Sequence, residues 1–218
     1  MLSNIYLHYV LDLWFTRRFF KSCEGRGRLI RYADDFVVCF QRRGDAERFR
    51  ADLDGRLGKF GLEVAAEKTK ILEFGPLAGL KAKARGEKPQ TFDFLGLTHY
   101  CSRTQNGKRF RMKRKTSRKK FKAKLLAVKE WLKVSRTLPT PDLMKTAAAK
   151  LRGHFAYYGV TDNSRGIGRF NHEFRKLLFK WLNRRGKRGC MSWEKYKKFL
   201  GRFPLPKPRI MVNLFIAR

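Results

Sequence analysis

Asp34 and Asp35 are adjacent carboxylates set between two apolar, β-rich runs, residues 29–32 and 36–40. Two like charges held on a turn beside low-dielectric strands repel each other and resist ionising. A divalent cation relieves that cost. Mg²⁺ prefers hard oxygen ligands and keeps several waters, so one or two carboxylates plus substrate phosphates make a site for it. Two such ions about 3.5–4 Å apart can activate an attacking hydroxyl and stabilise the leaving oxygen of a phosphoryl transfer. The commoner explanation of an Asp-Asp dipeptide is a solvated turn, so the pair by itself leaves both readings open.

The elements around the pair are mixed. Residues 4–15 carry side chains at Ile5, Tyr9 (or His8) and Leu13 with helical spacing, which predicts a helix buried along that stripe. Gly25 and Gly27 precede the two β-rich runs, which together predict a hairpin with carboxylates at its tip. Asp45 is expected to cap a helix whose Phe49, Leu53, Leu57 and Phe60 form one face, stopped by Gly61. Residues 62–64 and 71–74 read as short strands around residues 67–70, Gly75-Pro76 breaks the pattern, and residues 92–97 resume as strand.

Beyond Tyr100 the apolar spacing becomes helical. Thr116 or Ser117 can cap a helix burying Phe121, Leu125, Val128 and Leu132; Asp142 starts one burying Leu143, Ala147, Leu151, Phe155 and Tyr158. A third repeats the spacing at Phe170, Phe174, Leu177 (with Leu178) and Trp181, and a short fourth begins at Ser192, before Pro204, Pro206 and Pro208 forbid helix.

The formal charge is +34, and it is unevenly spread. Residues 1–100 hold 18 basic and 13 acidic side chains, residues 101–218 hold 34 and 5. A nearly balanced front part is therefore followed by a surface suited to a polyanion, with nucleic acid the first suspect. Residues 107–124 are the densest stretch. No apolar run approaches the ~20 residues of a membrane-spanning helix, and His8, Asp12, Arg17 and Arg18 interrupt the first 20 residues, which argues against a secretory signal. The four cysteines, with no C-x-x-C pair, read as reduced thiols packed mostly in apolar surroundings.

Order and company sharpen the reading. Tyr32-Ala33-Asp34-Asp35 between apolar strands, then Gly61-Leu62-Glu63-Val64 running into Glu67-Lys68-Thr69-Lys70, then Phe92-Asp93-Phe94-Leu95-Gly96-Leu97, resembles the palm of reverse transcriptases. More narrowly it is similar to the reverse transcriptase/maturases encoded by group II introns. Leu2-Ser3-Asn4-Ile5-Tyr6-Leu7-His8 resembles the palm helix before the active-site hairpin. Leu151-Arg152-Gly153-His154-Phe155-Ala156-Tyr157-Tyr158-Gly159 and Leu205-Pro206-Lys207-Pro208-Arg209-Ile210 resemble the thumb-like maturase segment, domain X.

The resemblance implies an α+β chain: a partial polymerase palm over 1–100, then an all-α thumb/maturase module over 101–218. It implies RNA-directed DNA synthesis with Mg²⁺ and dNTPs on an RNA template and DNA primer, together with binding of group II intron RNA. Asp34 and Asp35 would be metal ligands and catalytic, with Lys68 protonating the leaving pyrophosphate or touching nucleotide phosphates. Tyr32 and Ala33 would shape the primer-terminus and nucleotide pocket, and Phe94, Leu95 and Gly96 would form the primer grip. Arg111, Lys113, Arg114, Lys115, Arg118, Lys119, Lys120, Arg152, Lys180, Arg184, Arg185, Lys187 and Arg188 are the candidates for RNA contact.

In that family a further aspartate sits on an earlier palm strand behind the fingers. Asp12 does not match it, because its surroundings match the helix. The chain accordingly reads as a C-terminal fragment, or as the product of a reading frame with a lost or misassigned start, expected in the bacterial cytoplasm. A second reading stays open: a non-enzymatic RNA-binding, splicing-assisting protein that keeps the palm as scaffold. The missing carboxylate separates the two.

Overall fold

In the computed structural model, which describes residues 2–104, 106–185 and 190–214, residues 2–22 form one continuous helix whose winding changes along its length. An α-helical start, α1 (Leu2–Leu7), passes into π-helical turns at His8–Asp12 and Phe15–Phe19 and a tight 3₁₀ turn at Phe20–Ser22. The wider turns move the buried face. Val10, Leu11, Phe15 and Phe19 enter the core, while Ile5 and Tyr9 of the expected stripe are exposed. Strict 3.6-residue spacing misplaces the face because a π turn, closed by i→i+5 bonds, holds more residues than an α turn and so rotates the positions that follow it.

Strands β1 (Gly27–Tyr32) and β2 (Asp35–Phe40) form the expected hairpin, paired antiparallel from Gly27↔Phe40 to Tyr32↔Asp35. Alternation puts Leu29 and Arg31 of β1 inward, and Ile30 and Tyr32 outward. The inner face closes on the long helix and on α2 (Arg43–Gly58), whose Phe49, Leu53 and Leu57 complete a core with Val10, Leu11, Phe15 and Phe19. Each fully buried Leu or Phe contributes roughly 1.5–3 kcal/mol.

Asp45 departs from its expected role. α2 begins two residues before it, and its carboxylate, 2% exposed, accepts instead from the backbone N–H groups of Glu24 (3.1 Å) and Gly25 (3.0 Å) and from Arg48 (2.9 Å). It therefore pins the loop entering β1. Phe60 lies beyond the helix end and packs edgewise on Tyr6 with Arg56 over its ring. Residues 62–64 and 71–74 are not strands. Leu62 and Val64 do pack against the core, so their alternation records which side is buried, whereas a ladder also requires a neighbour in register.

Two compact units are defined by packing, Met1–Ala78 and Gly79–Arg218. At the start of the second lies α3 (Ala78–Ala84), followed by a three-stranded antiparallel sheet in the order β3 (Thr91–Phe94), β4 (Leu97–Arg103), β5 (Phe110–Thr116). Residues 97–116 are thus largely strand, where the basic composition had concealed a β pattern inside the expected helical part. Four helices follow: α4 (Arg118–Ser135), α5 (Thr140–Tyr158), α6 (Ser164–Leu182) and α7 (Trp193–Arg202). Ser117 caps α4 by accepting from Lys120 N–H, and Ser192 caps α7 in the same way. Leu132, Leu143, Ala147, Leu151, Phe155, Phe170, Phe174 and Leu178 form the core, as their spacing predicts.

Asn163, 1% exposed, ties sheet to helices. It accepts from Thr116 N–H (2.9 Å) and donates to Thr116 Oγ1 (2.9 Å) and the Tyr158 carbonyl (2.8 Å). Gly159 lets the C-terminal segment approach: a Cβ there would sit 2.7 Å from the Arg209 carbonyl, and Met211 and Val212 both donate to the Gly159 carbonyl. The thiols differ from expectation, with Cys39 and Cys190 exposed and Cys23 and Cys101 half-buried. Among the described residues no helix is long and apolar enough to cross a membrane.

Candidate active site and nucleic-acid interface

The carboxylate pair sits where β1 turns into β2. Tyr32 and Asp35 are paired, leaving Ala33 and Asp34 as a two-residue tip. Ala33 has φ +55°, the left-handed region that the first tip position of a tight hairpin turn demands and that glycine occupies most easily. Holding an L-residue there costs roughly 1–2 kcal/mol. Ala33→Gly should therefore raise the stability of the Met1–Ala78 unit by about 0.5–1 kcal/mol, after the extra freedom glycine gives the unfolded chain; urea unfolding checks it, and a lower midpoint would show that the methyl group is held by packing.

The tip is held from below. Arg31 donates from Nη1 to the Ala33 carbonyl (2.8 Å) and grips Asp12 with two bonds, Nε to Oδ1 (2.8 Å) and Nη2 to Oδ2 (2.7 Å). Asn4 Oδ1 accepts from the same guanidinium (3.2 Å), and His8 lies 3.3 Å from Asp12. The paired guanidinium is the main reason the Asp12 carboxyl is held below its ordinary value of 3.8, and the same bond raises Arg31. Sequence reading missed this pair, since nothing local joins residues 19 positions apart. The stabilisation from Asp12 is complete above the unfolded carboxyl value and is lost as pH falls below about 4. Asp12→Asn should cost about 1–2 kcal/mol at pH 7, between an exposed and a fully buried pair, and remove that part of the acid loss in a pH series of urea unfolding.

Asp34 and Asp35 are exposed, as is Tyr32 at 66%. Neither carboxylate has a hydrogen-bond or ion-pair partner among the described residues, in a chain with 52 cationic side chains. Asp35 shares the outer face of the hairpin with Tyr32, Ile30 and Val37. Hard, uncommitted oxygens suit Mg²⁺ held jointly with phosphates and water. Among the described residues no group of three or more His, Cys, Asp or Glu could hold a metal ion. Lys68 lies in an exposed turn of the same unit, its N–H donating to the Ala65 carbonyl.

The second candidate element belongs to the other unit. Phe94 pairs with Leu97, leaving Leu95 (φ +50°) and Gly96 (φ +73°) as a turn with two left-handed residues. Tyr157 donates its hydroxyl to the Leu95 carbonyl (3.0 Å), Ser117 N–H donates to the Gly96 carbonyl (3.0 Å), and a Cβ on Gly96 would lie 2.9 Å from the Tyr158 hydroxyl. The turn is thereby fastened to α4 and α5. Tyr158 and Trp181 are core, as spacing suggests, while Tyr157 and Trp193 are half exposed.

Among the basic candidates, alternation along β5 puts Arg111, Lys113 and Lys115 on one face and Arg114 on the other. Lys115 lies over the Tyr100 ring at 5.3 Å. Arg111 pairs with Asp162 at 2.8 Å, and burial lowers Arg114. Arg118, Lys119, Lys120, Arg152, Lys180 and Arg184 are exposed, Arg184 stacking on Trp181 at 5.0 Å. Arg185 is spent inside the fold, donating to Thr140 Oγ1 (3.1 Å) and to the Leu138 carbonyl. Lys187 and Arg188 lie outside the described residues.

Two family models match the chain. Residues 1–99 match the reverse transcriptase (RNA-dependent DNA polymerase) family, and residues 118–199 match the maturase-specific domain of group II introns. The chain belongs to the group II intron reverse transcriptase/maturase family. No curated protein matches it. The Tyr32–Asp35 hairpin falls within the reverse transcriptase match, as does the Leu95–Gly96 turn; α4, α5, α6 and most of α7 fall within the maturase-specific match.

Proposed function

We propose that the chain carries the distal palm of an RNA-directed DNA polymerase over residues 1–100 and the thumb/maturase module over 101–218. In this reading it acts in templated nucleotidyl transfer from dNTPs to a DNA primer and in holding group II intron RNA in its splicing-competent fold. The observation that carries the proposal is the uncommitted Asp34–Asp35 pair, on and beside a tip whose backbone is strained and braced. Asp34 and Asp35 would hold Mg²⁺, which supplies charge stabilisation and activates the attacking hydroxyl when bound. Tyr32 and Ala33 border the nucleotide, Lys68 serves the leaving phosphates, and Phe94, Leu95 and Gly96 present backbone to the primer strand. Lys113, Lys115, Arg118, Lys119, Lys120, Arg152, Lys180 and Arg184 bind RNA phosphates, Arg111, Arg114 and Arg185 shape that surface from within the fold, and Lys187 and Arg188, outside the described residues, are further RNA-binding candidates by charge. The fingers and a further carboxylate are supplied from outside residues 1–218, and the setting is a bacterial cytoplasm.

The test is primer extension on an RNA template with dNTPs and Mg²⁺, by this chain and by a protein extended upstream with fingers and first palm strand. Product from the extended protein is expected, and none from it would defeat the polymerase reading. The rival, a non-enzymatic splicing factor, is favoured by the lack, among the described residues, of a third His, Cys, Asp or Glu grouped with the pair; it predicts intron RNA binding with no extension by either protein.

A further inference from the structure

The charge asymmetry between the two parts of the chain draws attention away from a cationic patch on the Met1–Ala78 unit. Tyr9, Leu13, Trp14, Arg17, Arg18 and Arg56 line an open cavity of about 260 Å³. It contains three guanidiniums and two aromatic rings, and no carboxylate lines it. Arg17 and Arg18 are exposed, on the second π-helical turn, and neither pairs with a carboxylate among the described residues. Asp12, the nearest acid in sequence, is committed to Arg31.

Arg56 is positioned in advance. It donates from Nε to the Val10 carbonyl (2.9 Å) and from Nη2 to the Tyr9 carbonyl (3.4 Å), both in the first π-helical turn, and lies 6.0 Å from the Trp14 ring and 4.4 Å from that of Phe60. Tyr9 is 63% exposed. An unpaired cationic pair beside accessible rings suits a phosphate backbone whose unstacked base can lie against an aromatic face. The cavity is smaller than the roughly 300–1,000 Å³ typical of small-molecule sites, so it takes one unit of a longer ligand.

We propose that this patch is a second RNA-contact surface, on the palm helix and outside the basic maturase module, which takes a single-stranded segment with Arg17 and Arg18 on adjacent phosphates and Tyr9 and Trp14 against a base. It rests on the RNA-binding reading above and adds a separate site to it. The patch is concave and guanidinium-lined rather than a convex apolar stripe, which favours RNA over a membrane surface.

The test uses the full chain and fluorescence anisotropy with a labelled 20-nucleotide single-stranded RNA from 50 to 400 mM KCl. Each single-strand phosphate contact contributes a slope of about −0.7 in log affinity against log salt. Arg17→Ala/Arg18→Ala should therefore make the slope shallower by about 1.4 and weaken binding roughly 10- to 30-fold at 0.1 M salt, with an unchanged circular dichroism spectrum. Lys119→Ala/Lys120→Ala is the comparison in the maturase module. Unchanged affinity and slope in the Arg17/Arg18 variant, with loss in the Lys119/Lys120 variant, overturns the palm patch and leaves the RNA-binding reading standing. No loss in either variant defeats both. Photocrosslinking of the unsubstituted chain requires no variant to fold: RNA-linked peptides containing Tyr9 or Trp14 support the patch, and crosslinks confined to residues beyond 100 overturn it. Stronger binding to anionic vesicles than to RNA, lost on Arg17→Ala/Arg18→Ala, would also overturn it.

Discussion

Asp34→Ala should lower primer extension by the upstream-extended protein about a thousandfold or more while leaving its fold intact. Removing a carboxylate that holds the metal forfeits several kcal/mol of charge stabilisation in the transition state, and each 1.36 kcal/mol is tenfold in rate. Stability should change by less than about 0.5 kcal/mol, because the side chain is exposed and touches no partner. Asp35→Asn, one position further on and within the β2 ladder, should give a smaller loss. RNA affinity should be unaffected by either change. Undiminished extension by Asp34→Ala, measured as single-nucleotide incorporation with Mg²⁺ in excess, would remove the hairpin from the reaction.

Lowering the pH from 7 to 4 should take up to about 3 kcal/mol from the stability of the Gly79–Arg218 unit, through His154. This ring is 6% exposed, stacks on Phe170 with centroids 3.5 Å apart, and is packed by Phe155 and Tyr158; neither nitrogen has a hydrogen-bond partner. Burial, with a smaller contribution from Lys124, lowers its pKa from 6.5 to about 4. Above pH 6.5 the imidazole is neutral whether the chain is folded or not. Between 6.5 and 4 the unfolded chain takes up the proton first, so stability falls with pH, and below 4 the loss levels off. At 1.36 kcal/mol per pKa unit, the full difference is about 3 kcal/mol. His154→Leu should flatten the curve in that window while keeping stability near pH 7, since it replaces an unsatisfied polar ring by an apolar group of similar bulk. Urea unfolding followed by tryptophan emission at half-unit pH steps distinguishes the two proteins. An identical fall in the leucine variant would assign the acid sensitivity to other groups.

Much of the architecture was legible because it is local. Alternation at residues 27–40 gave the hairpin and its tip, and the 3.6-residue spacing of Leu143, Ala147, Leu151 and Phe155 gave α5. The failures have physical causes. In the first helix, π turns displaced the buried face from Ile5 and Tyr9 to Val10 and Phe15. Asp45 is a good capping residue by type, yet it spends both oxygens on a neighbouring loop. In residues 110–116 every apolar or aromatic position but two is replaced by cation or threonine, so β5 carries almost no hydrophobic alternation and is held by its ladder to β4.

The candidate site divides in the same way. That carboxylates would stand where a hairpin turns followed from residue order, since β propensity flanks them on both sides; that the turn is two residues long, with Asp34 in it and Asp35 opening β2 opposite Tyr32, was decided by the ladder register. Composition alone likewise located the excess charge beyond residue 100. What holds the tip, through Arg31 and Asp12, and which arginines are spent inside the fold, such as Arg185 on Thr140, arose only from tertiary packing. A side chain's intrinsic chemistry is carried by its residue type, but whether that chemistry is free to act depends on partners far away in sequence, which no local pattern encodes.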